Sequence, residues 1–237
     1  MRYDQINSDL ITATIDRLGR RIHERFPGSG LHGVCLTLLE FSKRAKRRSR
    51  SISRPYLFQR LWMGLGLALL AGAALWLFQR FGAPAALPAS DAGFTTVEGI
   101  EALLNIAILV GAAVLFIVTS EQRSKRSRAL DELHRLRSIA HVIDMHQLTK
   151  DPASILRRGP ATASSPVRDM SEFELTRYLD YCTEMLSLTG KLAGLYAEAS
   201  DDPAVVSAAG DVERMTTSMA SKVWQKIMTI SQAAGPA

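Results

Sequence analysis

The sequence has few of the residues on which enzymes and small secreted domains depend. It contains 2 cysteines, Cys35 and Cys182, in 237 residues, which are too few and too far apart for a disulfide framework or a zinc cluster. Glycine-rich nucleotide loops, nucleophile motifs, helical repeats and β-type alternation of useful length are all missing from the sequence. These absences predict an all-α protein that is not an enzyme and holds no cofactor.

Charge is missing from two long stretches. Residues 61–78 (LWMGLGLALLAGAALWLF) have no charged side chain, and residues 102–119 (ALLNIAILVGAAVLFIVT) are nearly as apolar. As a helix, each stretch of 18 residues would cross roughly 27 Å, close to the hydrocarbon thickness of a bilayer. Two buried core helices are the alternative, but such helices usually keep a polar face. We therefore expect a two-span transmembrane helical hairpin, with spans at about 60–79 and 101–120 and a short extracytoplasmic loop.

Lys and Arg are scarce between the two stretches and abundant outside them. Residues 1–60 hold 13 Lys/Arg and 5 Asp/Glu, whereas residues 61–120 hold 1 and 3. The cytoplasmic flanks of transmembrane helices carry such an excess of Lys and Arg. The pattern predicts a multi-pass protein of the inner (plasma) membrane with both termini in the cytoplasm. In that reducing compartment the two cysteines are expected to be small packing residues.

The rest of the sequence has the 3.6-residue periodicity of amphipathic helices. We expect a cytoplasmic segment 1–56 with two helices and a basic run, the transmembrane hairpin at 57–120, and cytoplasmic helices in 121–237. Composition rich in Pro, Ser and Ala predicts a flexible linker at about 153–170, and Pro with Gly predicts irregular structure at 81–99. Short connections would make the cytoplasmic helices neighbours in an antiparallel bundle.

A basic run lies immediately before the first apolar stretch. Each charge close to an anionic leaflet adds about 1 kcal/mol of attraction, so the run predicts binding to anionic lipids of the cytoplasmic leaflet. The alternative is that the run only sets topology. Nucleic acid is not an expected partner, because no aromatic residues interleave with the charges. The run places seven cations in twelve residues: Lys43, Arg44, Lys46, Arg47, Arg48, Arg50 and Arg54.

The stretch HRLRSIAHVIDMHQ, residues 134–147, combines charged and apolar residues on one predicted helix. His134, Arg137, His141 and Asp144 share one stripe, because their spacing follows the helical period. The stripe could be a metal site, with His134, His141 and Asp144 as ligands beside carboxylates of other helices, or a pH sensor. The favoured alternative is a polar seam, in which Arg137 and Asp144 pair with neighbouring helices.

The apolar residues of the same helix cover nearly half of its circumference, which predicts deep packing. His146 falls on this apolar side, away from the other histidines, so three histidines do not form one site by themselves. The apolar set is Leu136, Ile139, Ala140, Val142 and Ile143.

Asn105 is the strongly polar side chain inside the second apolar stretch. It would join helices through a hydrogen bond or line a pore. Taken together, the sequence predicts an integral membrane protein whose cytoplasmic bundle is a scaffold or regulatory interaction module. We expect a homo-oligomer with a further cytoplasmic protein partner. The alternatives are a subunit of an oligomeric ion channel or transporter, and a metal- or pH-responsive membrane sensor.

Overall fold

The structure, a computed structural model, describes residues 6–52, 92–150 and 170–234, together with short pieces between residues 61 and 79. Within these ranges every regular element is an α-helix and there is no strand, which confirms the all-α class. The helices are α1 (Ser8–Arg25), α2 (Gly30–Ile52), α3 (Ala92–Leu148), α4 (Glu172–Glu198) and α5 (Pro203–Ala234).

The chain divides into two units, which are described separately. The first unit comprises Met1–Ser53 and Arg126–Ala237, and the second comprises Arg54–Lys125. Much of the predicted first span, the loop residues 81–91 and the linker residues 153–169 lie outside the described residues.

Local capping chemistry explains where the helices of the first unit begin. The Asn7 side chain accepts hydrogen bonds from backbone N–H groups in the first turn of α1. Ser171 and Glu174 form a reciprocal capping box at the start of α4. The Asp202 carboxylate accepts a backbone N–H in the first turn of α5 at 2.8 Å, and Pro203 at the first helical position has no N–H to satisfy. The starts predicted at Ser171 and at Asp202–Pro203 are both confirmed.

A hydrophobic core joins the helices of the first unit. Helix α4 contacts α1, α2 and α5, and it is buried on most of its sides. The apolar residues of α1 recur at the spacing that predicts one buried stripe, and the structure buries all of them: Ile11, Ile15, Leu18 and Ile22. Burying one such side chain stabilises the fold by about 1.5–3 kcal/mol. The core therefore outweighs the ion pairs between exposed side chains, which are each worth at most about 1 kcal/mol.

Small residues let α4 and α5 pack closely. A Cβ added to Gly190 would lie 2.8 Å from the Thr216 Oγ1, and one added to Gly194 would lie 3.0 Å from a carboxylate oxygen of Glu213. Real Cβ atoms do not approach other atoms this closely without a shift. Glycine at these positions therefore leaves room for the Thr216 hydroxyl and the Glu213 carboxylate of α5, and at Gly194 also for the Ile6 Cδ1, which would lie 2.9 Å from an added Cβ.

Two helices are longer than the sequence suggested. Helix α2 continues through the basic run as far as Ile52, because residues 43–52 contain no Gly or Pro and many good helix formers. Helix α3 already begins at Ala92, so the expectation of irregular structure at 81–99 is wrong for residues 92–99. Extending an existing helix adds one hydrogen bond per residue, which offsets the helix-weakening effect of Gly93 and Gly99.

The second unit exposes large apolar side chains. Within the described residues one helical segment, Ala107–Leu148, is long and apolar enough to cross a membrane, and no part of its most apolar window is buried inside the protein. More than half of the side-chain surface is exposed at each of Leu104, Ile108, Leu109, Leu115 and Phe116.

Candidate functional site

The predicted stripe on α3 faces mostly outward. His134, Arg137 and His141 are exposed, and Asp144 is half-buried. The Asp144 carboxylate accepts a hydrogen bond from the Gln147 Nε2 at 2.7 Å, and the described ion pairs include none for Arg137. The stripe is therefore a largely solvated face, and the pairing expected for Arg137 and Asp144 with neighbouring helices is not among the described contacts.

One end of this stripe lines a cleft between α3 and α5. The cleft has a volume of about 410 Å³ and contains His134, Arg137 and Asp211 above an apolar floor that includes Leu133 and Val212. A carboxylate thus does face the stripe. Asp211 also forms an ion pair with Arg214 on its own helix, which reduces its availability to an incoming cation.

The metal hypothesis gains no support from this geometry. The described part of the chain contains no group of three His, Cys, Asp or Glu side chains placed to hold one metal ion. His134, His141 and Asp144 are spread over about three turns of one helix, and the described contacts bring no second carboxylate to His141 or Asp144.

His146 lies apart from the stripe, as its angular position on the helix predicted. Its Cε1 would be 2.6 Å from a Cβ added to Gly30, so the imidazole packs on the first residue of α2. A side chain at residue 30 would therefore displace the imidazole.

The basic run divides into paired and exposed cations. Lys46 forms an ion pair with Asp9 of α1, and Arg48 forms one with Glu132 of α3. The remaining described cations of the run, Lys43, Arg44 and Arg47, are exposed on α2. The side chain of Arg50 and the whole of Arg54 lie outside the described residues.

Glu132 is the buried charged residue that the sequence interpretation missed. Its side chain is only 5% exposed, and it forms ion pairs with Arg48 of α2 and, at 3.5 Å, with the Arg135 Nη1 of its own helix. A buried carboxylate is costly unless it is paired, so this contact ties the C-terminal part of α2 to α3. With about 100° per residue and Leu133 at zero, Glu132 falls at about 260°, inside the apolar arc. This position in the apolar arc was the sequence signal that the Glu132 side chain is buried.

A second missed group is the Tyr196 side chain of α4, which is fully buried beside Phe41 with ring centroids 6.5 Å apart. Burial raises the pKa of its hydroxyl to about 12, and the guanidinium groups of Arg48, Arg135 and Arg44 act in the opposite direction. Among the described residues, its oxygen is the buried side-chain polar atom that has no hydrogen-bond partner. No sequence pattern marks such a hydroxyl.

Gln147 forms another buried polar contact, near the C-terminal end of α3. The Lys226 Nζ donates to the Gln147 Oε1 at 2.7 Å and to its backbone carbonyl at 3.1 Å. This contact ties the last turn of α3 to α5, because carbonyls in the last helical turn need donors from outside the helix.

The two cysteines are buried and free. Burial raises the pKa of Cys35 to about 11, and the nearby Asp16 and Glu184 carboxylates act in the same direction. Burial also raises the pKa of Cys182 to about 12. Both thiols are therefore almost wholly protonated at neutral pH and poorly nucleophilic, in keeping with the packing role expected of them.

Asn105 lies in α3, within the second unit, and its side chain is exposed.

Comparison with protein-family models, with curated protein sequences and with solved structures finds no match to this chain. Its function is therefore inferred from its own geometry and charge.

Proposed function

We propose that the protein is a membrane-anchored interaction module: a two-span hairpin of the inner membrane that carries a cytoplasmic helical bundle, assembled as a homo-oligomer. The observation that carries this proposal is the contrast between the two units. The first unit buries its apolar residues in its own core, whereas none of the most apolar window of α3 is buried inside the protein.

The size of the exposed apolar surface supports placing this part of α3 in an apolar environment. Five large side chains of α3 between residues 104 and 116 are more than half exposed. At about 1.5–3 kcal/mol for burying each side chain, leaving them in water forgoes roughly 10 kcal/mol, which is comparable to the whole stability of a typical domain. A bilayer removes this cost for a helix that satisfies its own backbone hydrogen bonds.

The distribution of Lys and Arg supports an orientation with both termini in the cytoplasm. Residues 43–60 and 121–128 carry the cations that flank the two apolar stretches, and few cations lie between these segments. The positive-inside rule then places the first unit and both termini in the cytoplasm.

Labelling of single cysteines tests this topology. Ser90→Cys, between the apolar stretches, is expected to react in intact cells with a membrane-impermeant maleimide. Ser138→Cys, exposed on the cytoplasmic part of α3, is expected to react only after permeabilisation. The native thiols give little background because both are buried. Labelling of Ser138→Cys in intact cells, or a chain released from membranes by alkaline carbonate, would overturn the proposal.

The interaction role rests on apolar residues that the first unit leaves exposed. Val142 is 44% exposed although the sequence predicted it in the packed arc, and Met145 and Leu148 are exposed further along α3. Their spacing of three residues places them side by side on one helical face. A second copy of this chain would cover such a face.

Native mass spectrometry of the complex extracted from membranes measures the copy number and any bound partner. We expect more than one copy, and a lower copy number for Met145→Asp. Thr149→Asp, an exposed polar site directly after the same helix, is the matched control. A monomer in the native chain would contradict the homo-oligomer and would also exclude a multi-copy channel.

A channel subunit is the second candidate, and the exposed Asn105 amide within the apolar helix is the observation that favours it. A single hairpin encloses no conduction route, so this function requires several copies. Asn105→Leu is expected to change conductance in reconstituted bilayers if the amide lines a pore. An unchanged conductance would assign Asn105 to helix packing.

A further inference from the structure

A cleft of about 340 Å³ lies between α1 and α2, the first two helices of the first unit. Its apolar lining includes the buried side chains of Ile15 and Leu39. Two histidines also line it, His23 from α1 and His32 from α2. Their ring centroids are 4.7 Å apart, with an angle of 37° between the ring planes. The cleft therefore brings two imidazoles from different helices into direct contact.

The connection between the two helices explains why these rings meet. Gly28 has a φ of 75°, a left-handed conformation that glycine adopts without steric cost. The Ser29 N–H then donates to the Phe26 carbonyl at 3.2 Å, so the chain reverses direction at once. His23 lies in the last turn of α1 and His32 in the first turn of α2. The two imidazoles are therefore placed side by side by the turn itself.

Both rings keep their nitrogen atoms available for a ligand. No hydrogen bond or ion pair of either imidazole is among the described contacts, and the bond described for His32 is made by its backbone N–H, to the Ser29 hydroxyl at 3.4 Å. Cys35 lines the same cleft, but its Sγ is directed to the Ile15 carbonyl at 3.7 Å. The two imidazoles are therefore the neutral nitrogen ligands that the cleft offers.

The charges of the cleft favour a cation. Its charged lining consists of the carboxylates of Asp16 and Glu24 and the guanidinium group of Arg20. Arg20 forms an ion pair with Asp16 at 3.0 Å, which leaves the Glu24 carboxylate as excess negative charge. Imidazole nitrogen is a ligand that Zn²⁺ prefers, whereas Mg²⁺ and Ca²⁺ prefer oxygen. A divalent transition-metal ion therefore fits the cleft better than an anion or a hard cation.

The distance between the rings suits one shared ion. With Zn–N bonds of about 2.0–2.1 Å and a tetrahedral angle, two imidazoles on one Zn²⁺ have their centroids about 5 Å apart. The observed 4.7 Å is close to that value, so small side-chain rotations are sufficient. The described residues add no third protein ligand. Water therefore completes the tetrahedron, and the affinity is expected to lie below that of a structural site with four protein ligands.

We propose that His23 and His32 bind one Zn²⁺ ion between them and that this ion links α1 to α2. Because only the folded pair of helices brings the two rings together, the bound ion stabilises the first unit, and more so as its concentration rises. The site lies wholly within the first unit and does not depend on the proposed membrane anchor.

The test is a calorimetric titration of Zn²⁺ into the full chain in detergent micelles, with no affinity tag and no chelator. We expect one bound ion per chain. His23→Gln and His32→Gln are each expected to lose this binding, and the double variant to lose no more, because one ion needs both rings. The matched control combines His134→Gln with His141→Gln, at exposed histidines of α3, and is expected to bind Zn²⁺ as the native chain does.

The melting temperature gives a second readout. Zn²⁺ is expected to raise it in the native chain and in the control, but not in the two cleft variants. Mg²⁺ is expected to raise it in none of them, because that ion prefers oxygen ligands. The His23 side chain is exposed, so His23→Gln is expected to fold as the native chain does and to decide the test even if His32→Gln does not fold.

Two results would overturn the proposal. A native chain that does not bind Zn²⁺ would leave the two rings as an ordinary stacked pair. Binding that survives His23→Gln would also exclude the site, and its loss in the α3 control would then assign the ion to the stripe. An unexpected membrane topology would leave Zn²⁺ binding unchanged, so failure of the membrane anchor is distinguishable from failure of this site.

Discussion

Gly190 is the position at which the close packing of α4 and α5 can be tested most sharply. In an exposed helix, Gly→Ala stabilises by up to about 1 kcal/mol through backbone propensity. At Gly190 the new methyl group would lie 2.8 Å from the Thr216 Oγ1, while the Glu213 Cα at 3.9 Å remains in ordinary contact. The effect of the substitution therefore depends almost entirely on one hydroxyl group.

The cost of moving that hydroxyl can be worked out from its contacts. Thr216 is 2% exposed, and its hydroxyl donates to the Glu213 carbonyl at 3.0 Å. Rotating it away from the methyl group breaks this bond in a buried site, which costs about 1–3 kcal/mol. Set against the propensity gain, Gly190→Ala is expected to destabilise the first unit by about 1 kcal/mol.

The sign is expected to reverse when the hydroxyl is absent. In a Thr216→Ala background, Gly190→Ala meets no close atom and is expected to stabilise by up to about 1 kcal/mol. Gly33→Ala is the matched control, since no atom lies within 4 Å of a Cβ added there. It is expected to be neutral or stabilising in both backgrounds.

A urea titration of the full chain in detergent, with alkylation of the buried Cys182 as the readout, measures the free energy of opening around α4. It is applied to the native chain, to Gly190→Ala, to Thr216→Ala and to the double variant. The coupling between residues 190 and 216 is read as the difference between the two effects of Gly190→Ala. If Gly190→Ala has the same effect with and without the Thr216 hydroxyl, the close approach of α4 and α5 is not what requires the glycine.

Three further predictions concern the first unit. The unfolded chain ionises its thiols near the ordinary pKa of 9.0, whereas burial raises the pKa of Cys35 to about 11 and of Cys182 to about 12. The free energy of unfolding should therefore fall as pH rises above about 9, by about 1.4 kcal/mol per pH unit for each thiol until its folded pKa is passed. Unfolding measured across this range should show a shallower fall in Cys182→Ala, and parallel curves would refute this. Leu186→Ala, at a fully buried site, should cost about 2–5 kcal/mol, whereas Leu36→Ala at an exposed site should cost far less; equal shifts in urea midpoint would contradict the described core. Ser171→Ala removes the capping box of α4 and should lower the free energy of unfolding by about 1 kcal/mol. Ser171→Asp should retain most of the native free energy of unfolding in the same urea titration.

The sequence by itself determined the features that depend on local chemistry. The stripe of Ile11, Ile15, Leu18 and Ile22 was predictable because helical periodicity brings these positions to one face regardless of what covers them. The capping box at Ser171 was predictable for a similar reason, since its two partners lie three residues apart. The absence of β-type alternation gave the all-α class in the same way.

Only the tertiary structure decided which polar groups are buried and with whom. Glu132 and Val142 both fall in the apolar arc of one helix, yet Glu132 is buried and Val142 is 44% exposed. The difference arises because neighbouring helices cover only part of that arc, and their positions cannot be read from the periodicity of α3. The contacts of Arg48 with Glu132, and of Gly190 with Thr216, join residues far apart in the chain. Such contacts depend on helix-to-helix distances of a few ångströms, which a one-dimensional pattern does not contain.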